Sequence, residues 1–268
     1  MIPLFATLGA MIVLTHAIRH LSGWLGERWG GLLIGLPLST ALTLSYCLWE
    51  RGPHYAARAA EAGLLGLGAT VAFAAAAARC LSRSRRLALA VAAGAATYVA
   101  AALLVRGAGA GLTSLSVLLS LGLIVAGHRL VRGLGGRVSE CVARRRLSPA
   151  WKLLLRTAIP VACLAAILLV ARSAEASWAG LLGTFPATML AVLVVTNVEA
   201  GPAAAVELLR TYPIGKCSTL AFLAAFGELT PALGPAAGYA VGCLAAGCVL
   251  AGLARSTRSV TRAQPALD

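Results

Sequence analysis

The sequence predicts an all-α polytopic membrane protein of about nine transmembrane helices, built as two four-helix inverted repeats joined by one linking helix. Three observations predict it. The 268 residues are 59% hydrophobic and only 12% charged, with a mean hydropathy of +0.85. Apolar runs approach the roughly 20 helical residues that cross about 30 Å of hydrocarbon, and no alternating pattern offers a barrel as the other way to satisfy backbone groups in lipid. Finally, residues 29–53, WGGLLIGLPLSTALTLSYCLWERGP, recur without a gap at 178–202 as WAGLLGTFPATMLAVLVVTNVEAGP.

At a constant spacing of 149, nine of those 25 pairs are identical. They include Trp29 with Trp178, Pro37 with Pro186, Glu50 with Glu199, Gly52 with Gly201 and Pro53 with Pro202, and Ser39 falls on Thr188. Trp, Pro and Glu are scarce here, so bias toward Leu, Ala and Gly does not produce their agreement. A duplicated unit is the direct reading.

In chain order the spans are expected near 2–18, 30–49, 55–78, 87–105, 111–128, 153–171, 179–198, 203–227 and 235–254. The third and eighth carry charges. The N-terminal run lacks a basic n-region and a small-residue cleavage site, and reads as a first span rather than a signal peptide. Placing the N-terminus outside puts 17 of the 23 Lys and Arg residues in cytoplasmic loops and the C-terminal tail. The positive-inside rule therefore favours N-out and C-in, in a bacterial inner membrane. Residues 1–106 form repeat 1, 107–150 the fifth span and a basic cytoplasmic connector, 151–256 repeat 2, and 257–268 a cytoplasmic tail. One odd linking span reverses the second unit relative to the first.

The formal charge of +14 is explained by these loops, so no nucleic-acid partner is expected. Cys47, Cys80, Cys141, Cys163, Cys217, Cys243 and Cys248 show no Cys-x-x-Cys pair and mostly lie within spans, as small core residues. His16 and His20 sit one turn apart without a carboxylate to complete a metal site. No phosphate-binding loop, catalytic triad or dinucleotide fingerprint is present. The expectation is a protein that is not an enzyme and uses no cofactor or metal.

Gly180-Leu181-Leu182, Phe185-Pro186 with Thr188, then Glu199 and Gly201 resemble the signature of the GlpM-like family of small bacterial membrane proteins. The likeness covers mainly spans 7 and 8, and more weakly spans 2 and 3, where Leu36 and Ser39 replace the Phe and Thr. It implies two four-span units fused in opposite orientations and an association with exopolysaccharide production, and it says little about substrate.

Pro37 and Pro186 remove a backbone donor inside a span and clash with the preceding turn. The carbonyls they free need partners, for which Ser39, Thr40 and Thr188 supply hydroxyls. Two related breaks would aim helix-end dipoles at a ligand, as in transporters with discontinuous helices; packing kinks are the plain alternative. Glu50 and Glu199 each end a span just before Gly-Pro, where the dipole disfavours a carboxylate. They are candidate proton or cation acceptors or gates, or else turn-stabilising interfacial charges. Asn197 stands near Glu199 where the first copy has Leu48. Arg58 and Glu61 in span 3 align with Glu207 and Arg210 in span 8 with signs exchanged, so they pair either within a helix or between halves. Ionisable groups inside a membrane are functional candidates. Lys216, expected after a break at Tyr212-Pro213, is a candidate for an anionic ligand or a snorkelling side chain.

These features suggest a secondary transporter of a small polar or charged solute, coupled to protons and working by alternating access, with the bilayer as its environment and oligomerisation left open. The alternatives are a non-transporting scaffold or accessory subunit for envelope polysaccharide or lipid export, and a lipid flippase.

Overall fold

The computed structural model describes residues 2–25, 36–107, 113–133 and 147–262. Among them there is no strand. The helices are α1 (Ile2–Leu25), α2 (Leu38–Arg51), α3 (Pro53–Ser84), α4 (Leu87–Gly107), α5 (Thr113–Arg132), α6 (Pro149–Ser173), α7 (Ala176–Gly183), α8 (Ala187–Leu233) and α9 (Pro235–Arg262). Trp29, Gly31 and much of the basic connector, Glu140 included, lie outside the described residues.

Six described helical runs are long and apolar enough to cross a membrane: 53–84, 87–106, 114–132, 149–173, 176–233 and 235–255. This is the architecture of an α-helical membrane protein. The expected count of nine does not follow from length and apolarity alone. α2 has 14 residues, about 21 Å of helix against a hydrocarbon core of about 30 Å. The run 176–233 holds two of the expected spans in one apolar stretch of 58 residues.

That run is divided by Gly201, which leaves helical geometry at φ 85°, ψ 179° and is followed by Pro202. Gly52, between α2 and α3, has φ 86°, ψ 175° and is followed by Pro53. This region is essentially reserved for glycine, because a Cβ would clash there. The 149-residue spacing thus recurs in backbone conformation, and it extends beyond the repeated motif. α3 (Pro53–Ser84) and the second arm of α8 (202–233) have 32 residues each, and the residues that end them, Arg85 and Gly234, both have positive φ. Within these arms Gly66 and Gly215, Thr70 and Thr219, and Phe73 and Phe222 also coincide at that spacing.

The expected break at Tyr212-Pro213 is absent. The second arm of α8 stays helical through Pro213, and Gly201, before that arm, is the only non-helical residue within α8. Loss of one backbone donor is tolerated where neighbouring helices and hydroxyls satisfy the freed groups; here Pro213 is buried.

α3 and the α7–α8 run form the interior, 67% and 61% buried over their apolar windows, whereas α4, α5, α6 and α9 are 22–28% buried and make an outer apolar ring. α7 lies tightly on α3. A Cβ on Gly180 would collide with the Ala59 carbonyl, and one on Gly66 would stand 2.5 Å from Thr184 Oγ1. Small residues here let two backbones approach closely.

Contacts at its two ends fix directions along α6. At its C-terminal end, Arg51 donates to the Ala174 carbonyl (3.0 Å) and the Tyr55 hydroxyl to those of Ala171 and Ala174 (3.2 and 2.9 Å). At its N-terminal end, Lys152 Nζ meets Glu199 Oε1 at 2.5 Å. The two Gly-Pro corners therefore lie against opposite ends of one 25-residue helix, about 37 Å long.

Candidate functional site: the paired helix breaks

Each proline stands at a helix start rather than in a helix interior. Pro37 (φ −76°, ψ 40°) precedes α2 and Pro186 (φ −79°, ψ 53°) precedes α8. In each case the residue after proline donates its N–H to the carbonyl of the residue before it: Leu38 to Leu36 and Ala187 to Phe185, both 2.8 Å. These are inverse γ-turns, and proline pre-sets their φ. Span 7 is consequently two pieces, α7 and the first arm of α8, separated by Thr184, Phe185 and Pro186.

Ending α7 after eight residues exposes its last carbonyls, which must be paired because they are buried. Hydroxyls from three other helices do this. Thr40 of α2 donates to Gly183 O (3.0 Å), Thr70 of α3 to Thr184 O (2.8 Å), and Tyr98 of α4 to Leu181 O. The Thr184 hydroxyl also donates to Leu181 O (2.7 Å) and lies 3.3 Å from the Tyr98 hydroxyl. Phe185 is clasped edge-on by Tyr98 (centroids 5.1 Å) and Phe73 (6.0 Å). Thr40 follows the first break and Gly183 precedes the second, so the two breaks meet, and the repeats touch through a polar joint inside an apolar bundle.

Of the hydroxyls expected to serve the breaks, Thr40 does so across the repeats. Ser39, 8% exposed, and Thr188, half-buried, have no side-chain hydrogen-bond partner among the described residues. Both remain available beside a helix N-terminus. Thr70 and Tyr98, which bear most directly on the joint, escaped the sequence reading. The one signal for Thr70 was its match to Thr219 beyond the 25-residue motif; Tyr98 carried none.

The charged candidates are dispersed. Glu50 is exposed, while Glu199 is half-buried and paired with Lys152. Glu207 and Arg210 pair at 2.7 Å within their own helix. Arg58 is exposed and Glu61 half-buried, and among the described residues they form no ion pair with each other or with the Glu207–Arg210 pair. The pairing between halves is thus not seen, because α8 satisfies its own charges at i,i+3 spacing. The Asn197 Oδ1, two residues before Glu199, is buried without a hydrogen-bond partner among the described residues, as are Arg156 Nε and Thr157 Oγ1 on α6. His16 turns back to the Ile12 carbonyl (2.8 Å), and His128 Nδ1 lies 3.1 Å from the Arg210 carbonyl.

Fold and site together define a helical membrane protein in which a helix interrupted at Thr184–Pro186 meets the helix start that follows Pro37. No protein-family profile, curated protein or solved structure matches the chain.

Proposed function

We propose that the chain is a secondary transporter of a small polar or charged solute, with two inverted repeats that exchange conformations around the paired breaks. One observation carries the reading: the equivalent Gly-Pro corners rest against opposite ends of α6, while the breaks of the two repeats join at Thr40 and Gly183. Units related this way can interconvert inward-open and outward-open states by trading conformations, with the solute at broken helices near the midplane. The basic loops then orient the chain N-out and C-in in the bacterial inner membrane, and the likeness to GlpM-like proteins, each about one repeat, accords with a fused pair. Glu199, near the cytoplasmic end with Lys152, is the candidate for proton coupling or for a gate.

The scaffold reading draws on a different observation. The α7 carbonyls at the joint are occupied by hydroxyls, as expected of a static junction.

Single cysteines at Arg51→Cys and Ala200→Cys, in a background without the native cysteines, test the inverted arrangement. Labelling of position 51 only from outside and of position 200 only from inside supports it. Labelling of both from one side removes the alternating-access argument and moves the scaffold ahead.

A further inference from the structure

Among the described residues, Lys216 is the one charged side chain that is buried. It lies mid-way along the second arm of α8, 5% exposed, and forms no ion pair with a described residue. Its ammonium rests over the Tyr212 ring, 5.0 Å from the centroid. Tyr212 is 1% exposed, and its hydroxyl has no hydrogen-bond partner among the described residues. Spacing of i and i+4 sets the two on one helix face. Tyr212 belongs to the buried cluster that contains Tyr98 and Met189 and against which Phe185 packs. The pair therefore adjoins the helix breaks.

The described carboxylates are committed or distant. Glu175, Glu199 and Glu207 pair with Arg106, Lys152 and Arg210. Glu50 and Glu228 are exposed, and Glu61 lies beside Gly227, three turns along α8 from Lys216. A cation in an apolar interior is strongly disfavoured until it is neutralised. Here an ammonium without an ion-pair partner and a phenolic O–H without a hydrogen-bond partner among the described residues can both donate, so the complementary ligand accepts hydrogen bonds and carries negative charge. One fixed positive charge is balanced by one negative charge; a dianion would leave a buried excess.

We propose that Lys216 and Tyr212 bind a small monovalent carboxylate, and that such anions are the solute class carried. Carriage rests on the transporter reading; binding rests on the buried pair alone.

The chain has only two lysines, Lys152 and Lys216. Purified full-length protein in neutral detergent, labelled with ¹³C-lysine, yields two Cε signals, assigned with Lys152→Arg. Titration with sodium L-lactate is expected to shift the Lys216 signal saturably and leave Lys152 unmoved. Tyr212→Phe should weaken the affinity about tenfold, the scale of one hydrogen bond to a charged group. No saturable shift, an equal response to sodium chloride, or a stronger response to inorganic phosphate overturns the assignment. Labelled L-lactate counterflow in phosphatidylcholine vesicles separates the two readings. Saturable binding without counterflow supports the site and removes transport. Counterflow that survives Lys216→Met, with no shift at Lys216, removes the site and leaves transport.

Discussion

At the residue scale, two buried tyrosines make a controlled pair. Tyr98 donates to a carbonyl left open by the end of α7, whereas Tyr212 donates to no described group. Tyr98→Phe leaves Leu181 O with the Thr184 donors, so the expected destabilisation is about 1 kcal/mol. Tyr212→Phe removes a buried unpaired hydroxyl and is expected to be neutral or stabilising in the ligand-free protein. Thermal unfolding in detergent checks both; a larger loss for Tyr212→Phe would mean that its hydroxyl has a partner. Prolines, glycines and glutamates were legible from the sequence because the repeat marks them against an Ala- and Leu-rich background. Thr70 and Tyr98 were not, since a single hydroxyl on an apolar helix looks the same whether it bonds its own turn or a broken helix 80 or more residues away.

At the scale of elements, the α3–α7 contact and the Gly-Pro corners are the vulnerable joints. Gly180→Ala forces a Cβ into the Ala59 backbone carbonyl, which cannot yield as a flexible side chain can. It is expected to destabilise by about 1–3 kcal/mol, the range for overpacking. Gly122→Ala in α5, with nothing within 4 Å, is expected to change little. Gly201→Ala imposes the φ/ψ strain of the corner, again about 1–3 kcal/mol. Unfolding midpoints of the three variants, ranked against wild type, check the order. The repeat was legible over 25 residues because the helix breaks demand particular residue types. It faded over the 32-residue arms because many apolar side chains satisfy a lipid-embedded helix equally well, so backbone geometry persists where identity does not. Pro213 misled for a related reason: proline signals a lost donor, but whether the helix bends depends on neighbours that the sequence does not reveal.

For the whole molecule, the informative contacts are those at the two ends of α6. Lys152–Glu199 is partly solvent-exposed, at 38% and 24% side-chain exposure, so it contributes little to stability, about 0–1 kcal/mol. In the proposed transporter, its place at one end of α6 suits it to gating. Glu199→Gln is therefore expected to leave the unfolding midpoint nearly unchanged while altering the rate or pH dependence of counterflow; wild-type behaviour in both would strip Glu199 of that role. Membrane class was legible from hydropathy, which is a sum over many residues; the opposed orientation of the repeats rests on Arg placement and belongs to the proposal. The central joint was not legible, because it depends on which hydroxyl reaches which carbonyl.

The scarcity of lysine has a practical consequence. Lys152 is accessible and Lys216 is sealed in the interior, so a membrane-impermeant acylating reagent has one lysine to modify while the centre is closed. Should the bundle open a water-filled path to Lys216, peptide mapping by mass spectrometry would record an adduct on Lys216 itself, distinct from those on Lys152 and on any free α-amine. The fraction of chains modified at Lys216 then serves as a clock for opening, read before any solute has been identified.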